Sequence, residues 1–333
     1  MNQRKAGARF LESSLFALSS LVLYHAGVGI PFFLLPLQVV ASRRGVRGFL
    51  TAAGLFFTVF LGIRLYPFAA SGGYSRPDAL VFVESATVLL LLGGLAGANI
   101  LRQRRALYAI VGATLGAGII AAPVLLWLSG NAAFTDSVRS LFNEVAKSLA
   151  AALGPTEGVA GSLLSPILDP VALQRLVETV LTHTLLVDYF VLLSFSWWAG
   201  QAAAARTVPW TARAPFRFSG FRLEGFWLWP LIISWALVLA DLFLGLPGAW
   251  AAWNIGLVLL FLYGLQGMAI LRFLFEKHGL PRLLWVLLVA GIVILAASPR
   301  AGLFVVVAVP VFGISENWIR YRVRRDAAPT GQS

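Results

Sequence analysis

The sequence predicts an all-α polytopic bundle in a membrane, and three observations carry that expectation. The chain is 59% hydrophobic and only 12% charged, whereas a soluble domain is about one quarter charged. Its mean hydropathy is +0.83, and apolar runs long enough to cross a bilayer recur along the whole sequence. Its 26 Lys and Arg, against 14 Asp and Glu, cluster at the ends of those runs, where positive charge sets orientation. Nucleic acid is therefore not an expected partner; the lipid bilayer is. The chain has no cysteine, which excludes disulfides, thiolate metal sites and cysteine nucleophiles.

The elements follow from apolar runs and their polar breaks. The basic start "MNQRKAGARF" precedes a first span at 11–27, which reads as a retained helix because no clear small-residue cleavage site follows. Gly27, Gly29 and Pro31 turn the chain into a short second span at 30–41. Further spans fall at 49–68, 79–100, 107–128, 176–203, 227–246 and 251–275. A short pair at 283–297 and 302–317 makes a hairpin around "SPRAG". The three short segments either cross thinly or re-enter, so the bundle has eight to ten transmembrane spans. With ten crossings and the N-terminus inside, 20 of the 26 basic residues fall on the cytoplasmic side, all but Arg64, Arg76, Arg139, Lys147, Arg175 and Arg300. That asymmetry predicts cytoplasmic N- and C-termini. Residues 1–325 form one membrane domain in this reading, and 326–333 a short disordered cytoplasmic tail.

The longest stretch between spans, on the outer side, holds an amphipathic helix at about 134–153. Phe134, Val138, Leu141, Phe142, Val145, Leu149 and Leu153 share one stripe. Arg139, Asn143, Glu144, Lys147 and Ser148 fill the other face, and Asp136 sits in the first turn, where a carboxylate suits the helix dipole. Such a helix lies flat on the leaflet or forms a lid on the bundle. Gly93/Gly97 and Gly112/Gly116 predict a close approach of the helices at 79–100 and 107–128.

Ionisable residues within spans are costly and raise a functional question. His25, Arg64, Glu84, His183, Asp188 and Asp241 all lie toward the outer side, which suits a polar cavity opening outward, and Arg64, Glu84, Asp188 and Asp241 are its candidate ligand-binding residues. Arg64 and Glu84, at matched depth on consecutive spans across the short loop "SGGYSRPD", are expected to pair. Thr184 and Asp188, four apart, share a helix face and can bond locally. No HExxH, GxSxG or P-loop pattern is present, so neither an enzyme, a metal site nor a cofactor is expected. In the helix at 251–275, Asn254 and Gln266 are expected to bond to neighbouring helices, and Gly267 to admit another backbone.

Three stretches carry a resemblance. "LPLQVVASRRGVRGFL", "WNIGLVLLFLYGLQGMAILRFLFEKHGLPRLL" and the closing "GISENWIRYRVRR" resemble the YybS-like family of bacterial polytopic membrane proteins. The resemblance implies the cytoplasmic (inner) membrane, and it singles out Gly313, Glu316, Trp318 and Arg322 in the closing pattern. Glu316 stands where that family more often has Asp, and Arg320 where it usually has an acid. The first half is also distantly similar to the substrate-binding components of energy-coupling-factor transporters and to MreD. "SSLFA", Ser13 to Ala17, only approximates the docking motif of those transporter components. Two functions are thereby implied: binding of a small-molecule substrate in a transport-associated role, or scaffolding of other membrane proteins in the envelope. For Glu316, a local pair with Arg320 four residues on is expected, together with a fastening contact to Arg272, Lys277 or Arg282.

Overall fold

The computed structural model describes residues 2–27, 32–70, 79–101, 106–153, 169–205, 218–246, 248–298 and 301–322. These residues are 89% helical and contain no strand. Six of their helices are long and apolar enough to cross a membrane, and three shorter apolar ones accompany them. The loop "SGGYSRPD", the linker between 153 and 169, and the tail 326–333 lie outside the described residues.

The helices are α1 (Asn2–His25), α2 (Leu34–Ala70), α3 (Ala79–Ile100), α4 (Ala106–Ser129), α5 (Ala132–Leu153), α6 (Pro170–Ala205), α7 (Leu228–Leu244), α8 (Ala249–Lys277), α9 (Arg282–Ala297) and α10 (Gly302–Ser315). Contacts gather them into two compact units, Met1–Thr211 and Ala212–Ser333.

In the first unit α2 packs against α1, α3 and α6. The spans expected at 30–41 and 49–68 are two arms of α2, joined without a loop at Gly45, whose φ of 71° and ψ of −169° lie in a region open essentially to glycine alone. Glu12 of α1 braces this turn by pairing with both Arg43 and Arg44. Phe33, Phe49, Phe56, Phe60, Leu95, Phe190 and Leu193 form the fully buried centre. Two amides sit among them. Gln38 and Asn99 exchange hydrogen bonds in both directions, at 3.1 and 2.8 Å, and a Cβ on Gly200 would fall 2.5 Å from the Gln38 stem. In hydrocarbon, close packing and polar bonds of this kind hold helices together, because lipid tails are as apolar as the side chains they touch.

The glycine stripes behave otherwise than expected. α3 and α4 do pack together, but Gly93, Gly97, Gly112 and Gly116 all face open space. The crowded positions are Gly94, under the Tyr189 hydroxyl, and Gly118, under Leu186, so both lie against α6. Spacing identifies small residues on one face; it does not say which face meets a neighbour.

The helix α6 has 36 residues, or about 54 Å at 1.5 Å per residue, and so exceeds a hydrocarbon core of ~30 Å. Asp169 caps it, its carboxylate accepting from the amides of Val171 and Ala172, with Pro170 at the first helical position, where its missing N–H is harmless. The amphipathic α5 begins at Ala132, earlier than expected, with Asn131 as its cap, so Asp136 lies beyond the first turn. It packs on α3, α4 and α6 through Ala146, with Phe134, Val138, Phe142 and Leu149 half-buried, while Leu141 and Val145 remain exposed. Part of the stripe is thus buried against these helices.

In the second unit α8 packs against α7 and α10, and α9 against α10. A Schellman motif ends α8: Gly279 has φ 63°, its amide bonds to Glu276 O, and the Leu280 amide to Phe275 O. Pro281 then starts α9. The helices α9 and α10 have 16 and 14 residues, about 24 and 21 Å, short of a full crossing.

Candidate functional site

Among the four candidate ligand-binding residues, Arg64 and Glu84 come together. Glu84, in the second turn of α3, accepts on one oxygen from the Arg64 guanidinium of α2 and from the Tyr24 hydroxyl of α1 at 2.7 Å. Three helices therefore meet at one carboxylate. An aromatic wall backs them: the Tyr24 ring meets Phe33 edge-on at 5.3 Å and Phe60 at 5.1 Å, and the Arg64 guanidinium lies 5.9 Å from the Phe60 ring centre. Charge, hydrogen bond and ring all lower the cost of keeping these groups within a membrane helix bundle. The cluster is nevertheless open, since 38% of the Arg64 side chain and 28% of the Glu84 side chain are accessible. Tyr24 had no signal in the sequence, where it reads as one more aromatic in an apolar run.

Asp188 and Asp241 do not join that cluster. Asp188 is exposed on α6 and accepts from Thr184 at 3.0 Å, as the four-residue spacing predicts. Asp241 belongs to the second unit, in the last turn of α7, where the Trp253 indole reaches it at 3.4 Å. His25 and His183 bond to backbone carbonyls four residues earlier on their own helices. A groove of about 440 Å³ between α7 and α8 is lined mainly by apolar side chains such as Ile233, Leu237 and Ile255, and Asp241 is not part of it.

The closing pattern is architectural. Gly267 and Gly313 let the backbones of α8 and α10 touch: a Cβ on Gly267 would stand 2.2 Å from Val309 O, and one on Gly313 2.0 Å from Tyr263 O. Beside this contact, the buried Gln266 is used at both ends. Its oxygen accepts from the Leu223 amide at 2.7 Å, and its nitrogen donates to Gly313 O at 2.9 Å and to Glu316 at 3.0 Å. Glu316, only 3% exposed, also accepts from Arg322 at 2.8 Å, and Arg322 donates onward to Ser219 O at 2.9 Å.

Two expectations are corrected here. The charged partner of Glu316 is Arg322 rather than Arg320, because α10 ends at Ser315 and the i, i+4 rule stops with the helix; Arg320 is exposed. The fastening contact from α8 comes from Gln266, and Arg272 instead pairs with Glu276 and stacks on Trp285. Asn254 is buried as expected; it donates to Trp250 O within its own helix and has a further interaction besides. Trp318 is 69% exposed, as a residue of an interfacial belt would be.

Residues 16–312 match the family described as "predicted membrane protein (DUF2232)". The chain belongs to that family. No curated protein and no solved structure matches it. The matched DUF2232 region contains Tyr24, Arg64, Glu84, Gln38, Asn99, Gln266 and Gly267, and it stops one residue before Gly313. The partners Glu316 and Arg322 therefore lie past its end, although the amide that holds Glu316 lies within it.

Proposed function

We propose that this DUF2232 protein is a non-enzymatic, transport-associated substrate-binding protein of the bacterial cytoplasmic membrane, with both termini in the cytoplasm, and that the Tyr24–Arg64–Glu84 cluster is the polar end of its ligand site. The observation that carries this reading is the partial accessibility of a charged pair on three converging helices. A pair serving packing alone gains nothing from exposure, and an intramembrane charge is retained at a cost. A guanidinium and a carboxylate side by side suit a small molecule bearing both an anionic and a cationic group. The test is purification in mild detergent followed by mass spectrometry of co-purifying small molecules, with Arg64→Met and Glu84→Gln in parallel. A compound retained by the wild type and lost from both variants is expected. A compound retained equally by all three, or none at all, overturns the reading.

A second reading, an envelope scaffold for other membrane proteins, is favoured by the exposed Leu141 and Val145 on α5. Stoichiometric co-purification of a membrane protein, lost on Leu141→Ser with Val145→Ser, would support it over the first.

A further inference from the structure

The second unit carries a surface that the ligand-site reading does not use. The network around Gln266 holds two chain segments side by side, residues 218–229 ahead of and into α7 and residues 316–322 after α10. Leu223 is tied to Gln266, Ser219 to Arg322, and Gly225 sits near Asn317, whose amide oxygen would be 3.7 Å from a Cβ at that position. These bonds engage the Gln266 amide, the Glu316 carboxylate and two of the three guanidinium nitrogens of Arg322. What faces outward is of two kinds. Phe226, Trp229, Trp318 and Ile319 are large, apolar and 49–69% exposed. Arg222 and Arg320 are exposed, and their side chains engage no partner among the described residues. The acid on the same stretch, Glu224, has an interaction of its own, and Glu316 is neutralised by Arg322.

This edge stands at the start of an apolar span, since the one that includes α7 begins at Gly225. Exposed Trp229 in the first turn of α7 and exposed Trp318 just past the end of α10, beside arginines without a partner among the described residues, match the layer where ring and headgroup mix. We propose that the edge formed by 218–229 and 316–322 binds the headgroup of an anionic phospholipid. Arg222 and Arg320 would face its phosphate, and Phe226, Trp229 and Trp318 would seat the edge in the interfacial layer. The charge complementarity is the argument for a lipid over a protein: two cations without a partner among the described residues, flanked by amphipathic rings, at the start of an apolar span.

The inference is independent of the ligand-site reading, because every residue in it lies in the second unit. The full chain is reconstituted in bilayers of phosphatidylcholine with a minority of phosphatidylglycerol, re-extracted, and its retained lipid counted by native mass spectrometry. The wild type is expected to retain phosphatidylglycerol selectively. An arginine near an anionic surface contributes about 1 kcal/mol, so R222Q/R320Q should lower that selectivity by about 30-fold, while R222K/R320K and K147Q, a change in the first unit, keep it. Equal retention of both lipids by the wild type overturns the proposal, as does undiminished selectivity in R222Q/R320Q. Displacement of the lipid by excess inorganic phosphate would also overturn it, since the site would then read a free phosphate rather than a membrane-borne headgroup. Should R222Q/R320Q fail to fold, the wild-type selectivity and the lysine variant decide on their own.

Discussion

Replacing Gly313 with alanine sets two effects of a glycine against each other. On helix propensity the change helps, because alanine is preferred over glycine by about 1 kcal/mol in a helix interior. Packing opposes it. The added Cβ would stand 2.0 Å from Tyr263 O and 2.9 Å from the Gly267 amide nitrogen. Both obstacles are backbone atoms, so no rotamer relieves them, and α8 and α10 must separate by roughly 1.5 Å to restore an ordinary contact of ~3.5 Å. That movement stretches the Gln266 bonds to Gly313 and Glu316, now 2.9 and 3.0 Å, past hydrogen-bonding range. Overpacking costs about 1–3 kcal/mol, and a buried polar group left unpaired about 1–3 more. Net of the propensity gain, Gly313→Ala should destabilise by about 1–5 kcal/mol. The assay is a denaturing-detergent titration of the solubilised protein followed by far-UV circular dichroism, with Gly93→Ala as comparator. Gly93 faces open space, so its replacement should be neutral or mildly stabilising. A Gly313→Ala transition indistinguishable from the wild type would refute the close contact and the account of the closing pattern built on it.

Four further outcomes follow from the geometry. Gly45→Ala forces a side chain into a glycine-only conformation at the α2 turn and should cost about 1–3 kcal/mol; an unchanged melting temperature would show that the two arms can reorient freely. Gln38→Leu and Asn99→Leu should each cost about 1–3 kcal/mol by stranding the other amide, and the double variant should cost less than their sum; strict additivity would exclude the pair. Arg64→Met alone should destabilise more than Arg64→Met with Glu84→Gln, because the single change leaves an intramembrane carboxylate with only Tyr24; the reverse order would show the charges to be uncoupled. In this cysteine-free chain, a maleimide should label Arg139→Cys readily and spare Ala146→Cys, which is 3% exposed in the native residue; the opposite pattern would invert the assigned face of α5.

Much of the fold was legible because hydropathy is a per-residue property that survives without tertiary context. Each apolar run became a helix, and even the short run at 30–41 corresponds to an arm of α2. The Arg64–Glu84 pair was legible for a similar reason: two costly charges at equal depth on consecutive helices have few ways to lower their energy. Gln266 and Gly267 announced a close neighbour through their own chemistry. What stayed hidden depended on direction or on distant chain. Gly94 and Gly93 are adjacent letters about 100° apart on the helix, and only the fold shows that Gly94 meets α6. Gln38 and Asn99 are 61 residues apart, and neither is unusual alone. Arg322 reaches Glu316 only because α10 ends at Ser315 and the chain folds back, which no helical spacing rule describes.

The two units use polarity in the same way. Each has a central helix, α2 or α8, with a buried glutamine whose oxygen and nitrogen are both engaged, Gln38 with Asn99 and Gln266 with Leu223, Gly313 and Glu316. Each glutamine lies at a glycine that permits the close approach, Gly200 packing on Gln38 and Gly267 following Gln266. An unsatisfied amide in hydrocarbon is costly enough to forbid alternative registers, so these contacts define which helix faces meet. That assigns the buried amides and the Glu316–Arg322 pair to architecture, with their bonds made inside the protein. Arg64 and Glu84 differ from them in one respect that packing does not require: roughly a third of each side chain is open. An intramembrane ion pair built for rigidity would be better placed where Glu316 is, nine-tenths enclosed and tied to backbone. The openness of the Tyr24–Arg64–Glu84 cluster is thus the feature that architecture leaves unexplained, and it is the reason to look for a ligand there first.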